Sequence, residues 1–271
     1  MNVKKLFENI EKPIIGVVHL KPLPGSPLYK GDFEEVYDAA LKDADALYSG
    51  GVDGIIIENY GDKPYAINVK NPLTLTAMSI IAYEVRRKYN DIYLGINVLR
   101  NSGVEALAIA YNVKASFIRV NNLCQILASP EGLLYPIAEK IIRLREYLKA
   151  SIKILADINV KHASPLDTRS IEYVAKDCVE RCLADALIVT GSRTGEEASI
   201  NDLVKVKKAV SQPVLVGSGI TLHNISKYWK FADGFIVGTY FKFHEKTENP
   251  VDYSKVVKLM KYVKSLREVS N

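Results

Sequence analysis

The sequence predicts an α/β fold, a single (β/α)8 TIM barrel spanning residues 1–271, and two observations carry that expectation. Short apolar, β-branched runs alternate with one-sided helical patterns, and eight such runs fit in the 271 residues. Strands read as nearly continuous apolar stretches when crossover helices cover both faces of a parallel sheet. An open doubly wound sheet would place a glycine-rich dinucleotide turn after its first strand. The chain there reads LKPLPGSP, with prolines where glycines and a helix start belong, so the closed barrel is the better fit.

In chain order, residues 1–12 read as a lead-in helix, followed by the strand IIGVVH from Ile14. Asp32 and Glu35 form a capping box that opens the next helix. VDGIIIE from Val52 is the second strand, and Asn71 before Pro72 caps the helix that follows it. IYLGINV from Ile92 and ASFIRVN from Ala115 are the third and fourth strands. Ile137, Ile141, Leu144 and Leu148 then share one helical face before IKILADI from Ile152. Ile171, Val174, Cys178 and Cys182 make a similar stripe before DALIVTG from Asp185. PVLVGSG from Pro213 and GFIVGT from Gly234 complete the set, and Asn249 with Pro250 starts the last helix. No linker or low-complexity tract divides the chain.

Composition narrows the function classes. With 48% hydrophobic and 25% charged residues and a formal charge of +5, the chain has an ordinary globular balance, and no basic motif interleaved with aromatics points to nucleic acid. No run of about eighteen apolar residues implies integral membrane association, and the first twenty residues have no secretory pattern, so a cytoplasmic location is expected. Cys124, Cys178 and Cys182 form no CxxC pair and read as reduced, small-hydrophobe positions. Lys255, Lys258, Lys261, Lys264 and Arg267 make one basic stripe on the last helix, read as a solvated face. Scarce glutamine beside abundant Lys, Glu and Ile leans towards a thermophile.

In a barrel of this kind functional groups gather where strands end, so the strand ends are the place to look. They carry His19; Glu58 and Asn59; Asn97 and Arg100; Arg119 and Asn121; Asp157, Asn159, Lys161 and His162; Thr190; Ser218; and Thr239, while the strand starts carry no comparable set. The period of two puts Arg119 and Asn121 on one face of the fourth strand and Asp157 and Asn159 on one face of the fifth, so Arg119 and Asp157 become neighbours. That pair reads either as a structural clamp or as a device that keeps Asp157 ionised for proton transfer. Gly217, Ser218, Gly219, Gly238 and Thr239 form glycine turns after the last two strands, where backbone N–H groups and a following helix N-terminus favour phosphate. TGSRTG, residues 190–195, adds a third glycine loop or a flap.

The expected catalytic set is Asp157, Lys161, His162, Glu58 and Arg119, with His19, Asn97, Arg100, Asn121, Asn159 and Thr190 holding substrate. The expected partner is a phosphorylated small molecule. No cofactor is named by the sequence. The four histidines show no paired metal spacing, which leaves a divalent ion between Glu58, Asp157 and His162 as a minor reading, and homo-oligomer formation stays open.

VHLKPLPGSPLY, GGVDGIIIENYGDKPY, INVLRN, FIRVN, IKILADINVKHASPL, ADALIVTG, VLVGSGIT and ADGFIVGTYFK, in this order from about His19 to Lys242, resemble the BtpA family. The resemblance implies a phosphate-binding TIM barrel. It also implies two alternatives for function, since members in photosynthetic organisms are associated with photosystem I biogenesis and other relatives sit among sugar or nucleoside metabolism. The first alternative is an acid–base enzyme of lyase, isomerase or nucleosidase type; the second is a non-catalytic assembly or stability factor. One segment departs from the family pattern: Ser129, Pro130 and Glu131 stand where Thr-Asp-Gln is usual.

Overall fold

The computed structural model describes residues 7, 8, 10–191 and 193–270. In chain order the elements are β1 (Ile14–His19), α1 (Phe33–Ser49), β2 (Gly54–Glu58), α2 (Pro72–Lys88), β3 (Tyr93–Asn97), α3 (Gly103–Asn112), β4 (Phe117–Val120), β5 (Leu127–Ser129), β6 (Gly132–Leu134) and α4 (Ala138–Tyr147). They continue with β7 (Lys153–Ile158), β8 (Ser164–Pro165), α5 (Ile171–Glu180), β9 (Ala186–Val189), α6 (Ile200–Ala209), β10 (Val214–Val216), α7 (Ile225–Trp229), β11 (Gly234–Val237) and α8 (Tyr253–Ser270). The barrel closes in the order β1-β11-β10-β9-β7-β4-β3-β2, with every neighbouring pair parallel, and its staves are the eight apolar runs of the sequence.

Alternation along the strands builds two cores. Ile15, Val17, Ile56, Phe117, Leu155, Ile188, Leu215 and Ile236 fill the barrel interior, whereas Ile14, Val18, Ile55 and Ile57 point outward beneath the helices. Asp32 caps α1 by accepting the Glu35 N–H at 3.0 Å, and Asn71 caps α2 by accepting the Leu73 N–H at 3.0 Å, as the sequence signatures require.

Three expectations are corrected. Residues 1–6 and 9 of the expected lead-in helix lie outside the described residues, and the described part is a turn in which Phe7 bridges Ile10. Phe7 is 2% exposed and stacks on Tyr93 with ring centroids 3.8 Å apart, closing the end of the barrel where the strands begin. Burying such a ring contributes about 2–3 kcal/mol, which a solvated lead-in helix would forgo. The last helix starts at Tyr253 rather than at Pro250, because Asp252 accepts the Ser254 N–H while Val251 is held by Asp43. Cys124 is bonded to Cys178 rather than reduced, since the loop after β4 brings it beside α5; Cys182 is the free thiol and lies past the end of that helix. Residues 127–134, which include Ser129, Pro130 and Glu131, form a β5–β6 hairpin that pairs with β8 over a small apolar cluster of Leu127, Leu134 and Val160.

Candidate active site

Register along the first three strands sets the site's base. His19 pairs with Glu58 and Glu58 with Asn97, so three strand ends deliver a row of polar side chains to the mouth where the strands terminate. All are withdrawn from water: Glu58 is 5% exposed and Asn97 1%. Asn97 donates to Glu58 Oε2 at 2.6 Å, and His19 Nε2 lies 3.9 Å from Oε1. Burial, reinforced by Lys242, Lys161 and Arg119, holds the His19 imidazole well below its usual pKa, so it is neutral at pH 7.

Arg119 stands at the centre. Its Nε donates to Asp157 Oδ1 at 3.1 Å and its Nη2 to Oδ2 at 3.0 Å, a bidentate pair, and Asn121 donates to the same Oδ2 at 2.8 Å. The remaining guanidinium nitrogen, Nη1, lies 3.8 Å from Glu58. Burial opposes the Arg119 charge, yet Asp157 and Glu58 outweigh it and raise the pKa above the ordinary value. Arg119 and Asp157 are therefore the neighbours that alternation predicts. Both Asp157 oxygens are occupied, which makes this carboxylate a brace for Arg119.

Two clefts open over this base. A narrow one of about 70 Å³ is lined by His19, Glu58, Arg119, Lys161, Thr194 and the turns containing Gly217, Ser218, Gly219, Gly238 and Thr239. A wider one of about 430 Å³ is lined by Tyr60, Lys63, Tyr65, Arg100, Asn121, Glu131 and His162. Glu58, Arg119, Lys161 and Thr194 belong to both and mark their junction. Burial, then the nearby Arg119, pulls the Lys161 amine down to about 8, against the opposing pull of Glu58 and Asp157. An amine titrating there exchanges protons close to neutral pH.

The glycine turns are built for close approach. Gly219 has φ +67°, and a Cβ there would sit 2.5 Å from the Glu196 backbone, so only glycine lets residues 196–197 lie against this turn. Gly217 spends its N–H on the Val189 carbonyl, and a Cβ would strike Ile188, so it contributes room rather than a donor. The next helix, α7, has only five residues and starts at Ile225, too far along the chain to lend the expected dipole at Gly219.

The structure separates two predicted residues from the junction. Asn159 has φ +49°, which breaks the strand alternation; its Oδ1 accepts from the buried Gln125 amide at 3.0 Å. Asn159 and Thr190 line a neighbouring groove instead. His162, also at positive φ, turns back to accept the Thr194 N–H at 3.3 Å and so joins the 161–162 loop to the 193–195 loop; burial and then Lys161 keep its pKa below the usual value. Asn59 is scaffold: it accepts the Leu99 N–H at 2.7 Å and donates to Asp62. Among the described residues no three His, Cys, Asp or Glu side chains group as a metal ion would need. Nor is any helix among them long and apolar enough to cross a membrane. Tyr60, Lys63 and Tyr65 were not singled out in the sequence, although they sit in the segment just past the second strand end, NYGDKPY, which carries the family resemblance.

The BtpA family profile matches residues 10–265. The chain belongs to the BtpA family. A relative from Pyrococcus horikoshii is 48% identical over 257 residues, covering 95% of this chain and 98% of its own. Photosystem I biogenesis protein BtpA of Synechocystis is 40% identical, covering 93% of this chain and 88% of its own, and a mitochondrial Caenorhabditis elegans protein is 35% identical over 98% of both. Among solved structures, thiamine phosphate pyrophosphorylase from Pyrococcus furiosus aligns with a TM-score of 0.55 at 18% identity, covering 94% of this chain and 96% of its own. 3-Keto-L-gulonate-6-phosphate decarboxylase from Vibrio cholerae aligns at 0.56 and 15%, covering 94% and 99%. At such identities these likenesses establish the closed (β/α)8 barrel fold and nothing finer.

Proposed function

We propose that this BtpA-family chain is an enzyme that moves protons on a phosphorylated sugar or nucleotide-like metabolite. The observation that carries the reading is the convergence of the β10 and β11 glycine turns with Glu58, Arg119 and Lys161 on one narrow cleft. Phosphate enters that cleft and takes the backbone N–H groups of Ser218, Gly219 and Thr239, while the rest of the substrate extends over the junction into the wider space. Glu58 accepts a proton from the substrate and Lys161 donates one to the oxygen where negative charge develops, which Arg119 stabilises. Asp157, expected from the sequence as the proton-transfer group, takes the part of a positioning residue because Arg119 and Asn121 occupy its oxygens. Isomerases and lyases that abstract a carbon-bound proton use such an acid–base pair, whereas a nucleosidase leaves carbon-bound hydrogen in place.

Solvent exchange tests the reading without a known product. A panel of sugar phosphates and nucleotides is incubated with the protein in D2O, and carbon-bound deuterium is read by NMR. Incorporation into at least one member is expected, falling about 100- to 10,000-fold in Lys161→Met and Glu58→Gln; incorporation that survives both substitutions sinks the assignment.

The name of the Synechocystis relative favours a second reading, a non-catalytic assembly factor. It needs a docking surface, yet part of the α8 basic stripe is engaged internally: Lys255 pairs with Glu245 at 3.0 Å and Arg267 with Asp53 at 2.5 Å. Wild-type protein that binds phosphate esters and exchanges none of them supports this reading over the first.

A further inference from the structure

The wider cleft has a wall that the proton transfer does not use. Between β5 and β6 the chain turns through Pro130 and Glu131, and both residues line that cleft. The hairpin is fixed in place: Ser129 Oγ donates to the Gly132 carbonyl at 3.0 Å, β5 pairs with β8, and Leu127 and Leu134 are buried beneath. Glu131 is thus held against the mouth with its side chain 11% exposed.

Three polar atoms around this cleft are buried without a hydrogen-bond partner: Glu131 Oε2, Arg100 Nε and Asn121 Oδ1. Leaving such an atom unpaired away from water is costly, so three on one cleft call for partners that arrive with a ligand. Their chemistry says which. Glu131 Oε2 and Arg100 Nε form an ion pair at 3.7 Å, too long for a hydrogen bond between them. A group placed beside both must donate to the carboxylate and accept from the guanidinium, and a hydroxyl does both whereas an ammonium or a methyl group does not. Asn121 Oδ1 adds a second acceptor on the lining of the same cleft.

Building on the phosphate reading above, we infer that Glu131, Arg100 and Asn121 form a hydroxyl-recognising subsite, and that the β5–β6 hairpin is the element that sets substrate specificity. The substrate is then a phosphate ester whose far end carries hydroxyl groups, a polyol or sugar chain.

Calorimetry with two probes tests this: D-ribose 5-phosphate, which carries the hydroxyls, and n-propyl phosphate, which lacks them. Wild-type protein is expected to prefer ribose 5-phosphate. Glu131→Leu weakens that probe about 10- to 100-fold and leaves propyl phosphate within about twofold, and Glu131→Gln, which keeps one acceptor oxygen, falls between. Propyl phosphate binding with no preference in the wild type, or a preference untouched by Glu131→Leu, overturns the subsite while leaving the phosphate cleft intact. Neither probe binding to the wild type overturns the phosphate reading and the subsite with it. Should Glu131→Leu fail to fold, an unchanged preference in Glu131→Gln overturns the subsite.

Discussion

Two buried ion pairs in this barrel look alike on paper and differ in what they face. Lys242 is fully buried and donates to Asp43 Oδ2 at 2.5 Å, while Asp43 Oδ1 accepts the Val251 N–H at 2.7 Å. That pair pins the segment after β11 onto α1. Burial outweighs the help of Asp43 and lowers the Lys242 pKa. Arg119 and Asp157 are equally withdrawn from water, at 3% and 2% exposed, but Arg119 also lines both clefts and turns one nitrogen towards Glu58. Burial and pairing therefore do not distinguish a clamp from a working group. What distinguishes them is whether the cation keeps a face towards a cavity after its carboxylate has been satisfied.

The comparison breaks most sharply at Asp43. Asp43→Ala strands a buried ammonium and is expected to cost about 3–5 kcal/mol in urea unfolding, while the folded fraction binds phosphate esters as the wild type does. A smaller effect, of the opposite kind, is expected from Asp157→Asn. Loosening the brace on Arg119 should lower deuterium exchange about 10- to 100-fold with less loss of stability than Asp43→Ala, and equal stability losses with unchanged exchange would make Asp157 a second clamp. The smallest effect is a pH limb. With Lys161 as the proton donor and its amine near 8, exchange falls above that pH by about tenfold per unit, and Lys161→Arg moves the limb beyond the measurable range. The sign of the stability effect separates this from unfolding. Unfolded Lys161 keeps its proton up to 10.5, so between about 8 and 10.5 the unfolded chain binds more protons and stability rises with pH while activity falls.

Much of this was legible in the chain. Alternation alone placed Arg119 beside Asp157, and the strand ends named Glu58, Asn97 and Lys161, because a strand's facing follows from a local period. Asn159 escaped that logic, since a single residue at positive φ ends the period, and nothing in ADINVKH marks where it stops. Cys124 and Cys178, 54 residues apart, meet only because the loop after β4 passes over α5. The hairpin was equally hidden: three-residue strands are too short for a pattern, and β5 finds its second partner in β8, more than thirty residues along the chain.

The sequence by itself determined the eight strands, the helices that cover them and the polar end of the barrel, all of which follow from apolar periodicity and cap residues acting within a few positions. Only the tertiary structure decided which polar groups are spent on one another and which face a cavity. Asp157 became a brace, Lys161 came to the junction of two clefts, and Glu131 came to lean over the wider one. Those outcomes depend on barrel closure and loop crossings, which bring together residues far apart in the chain and set the burial that lowers the Lys161 pKa.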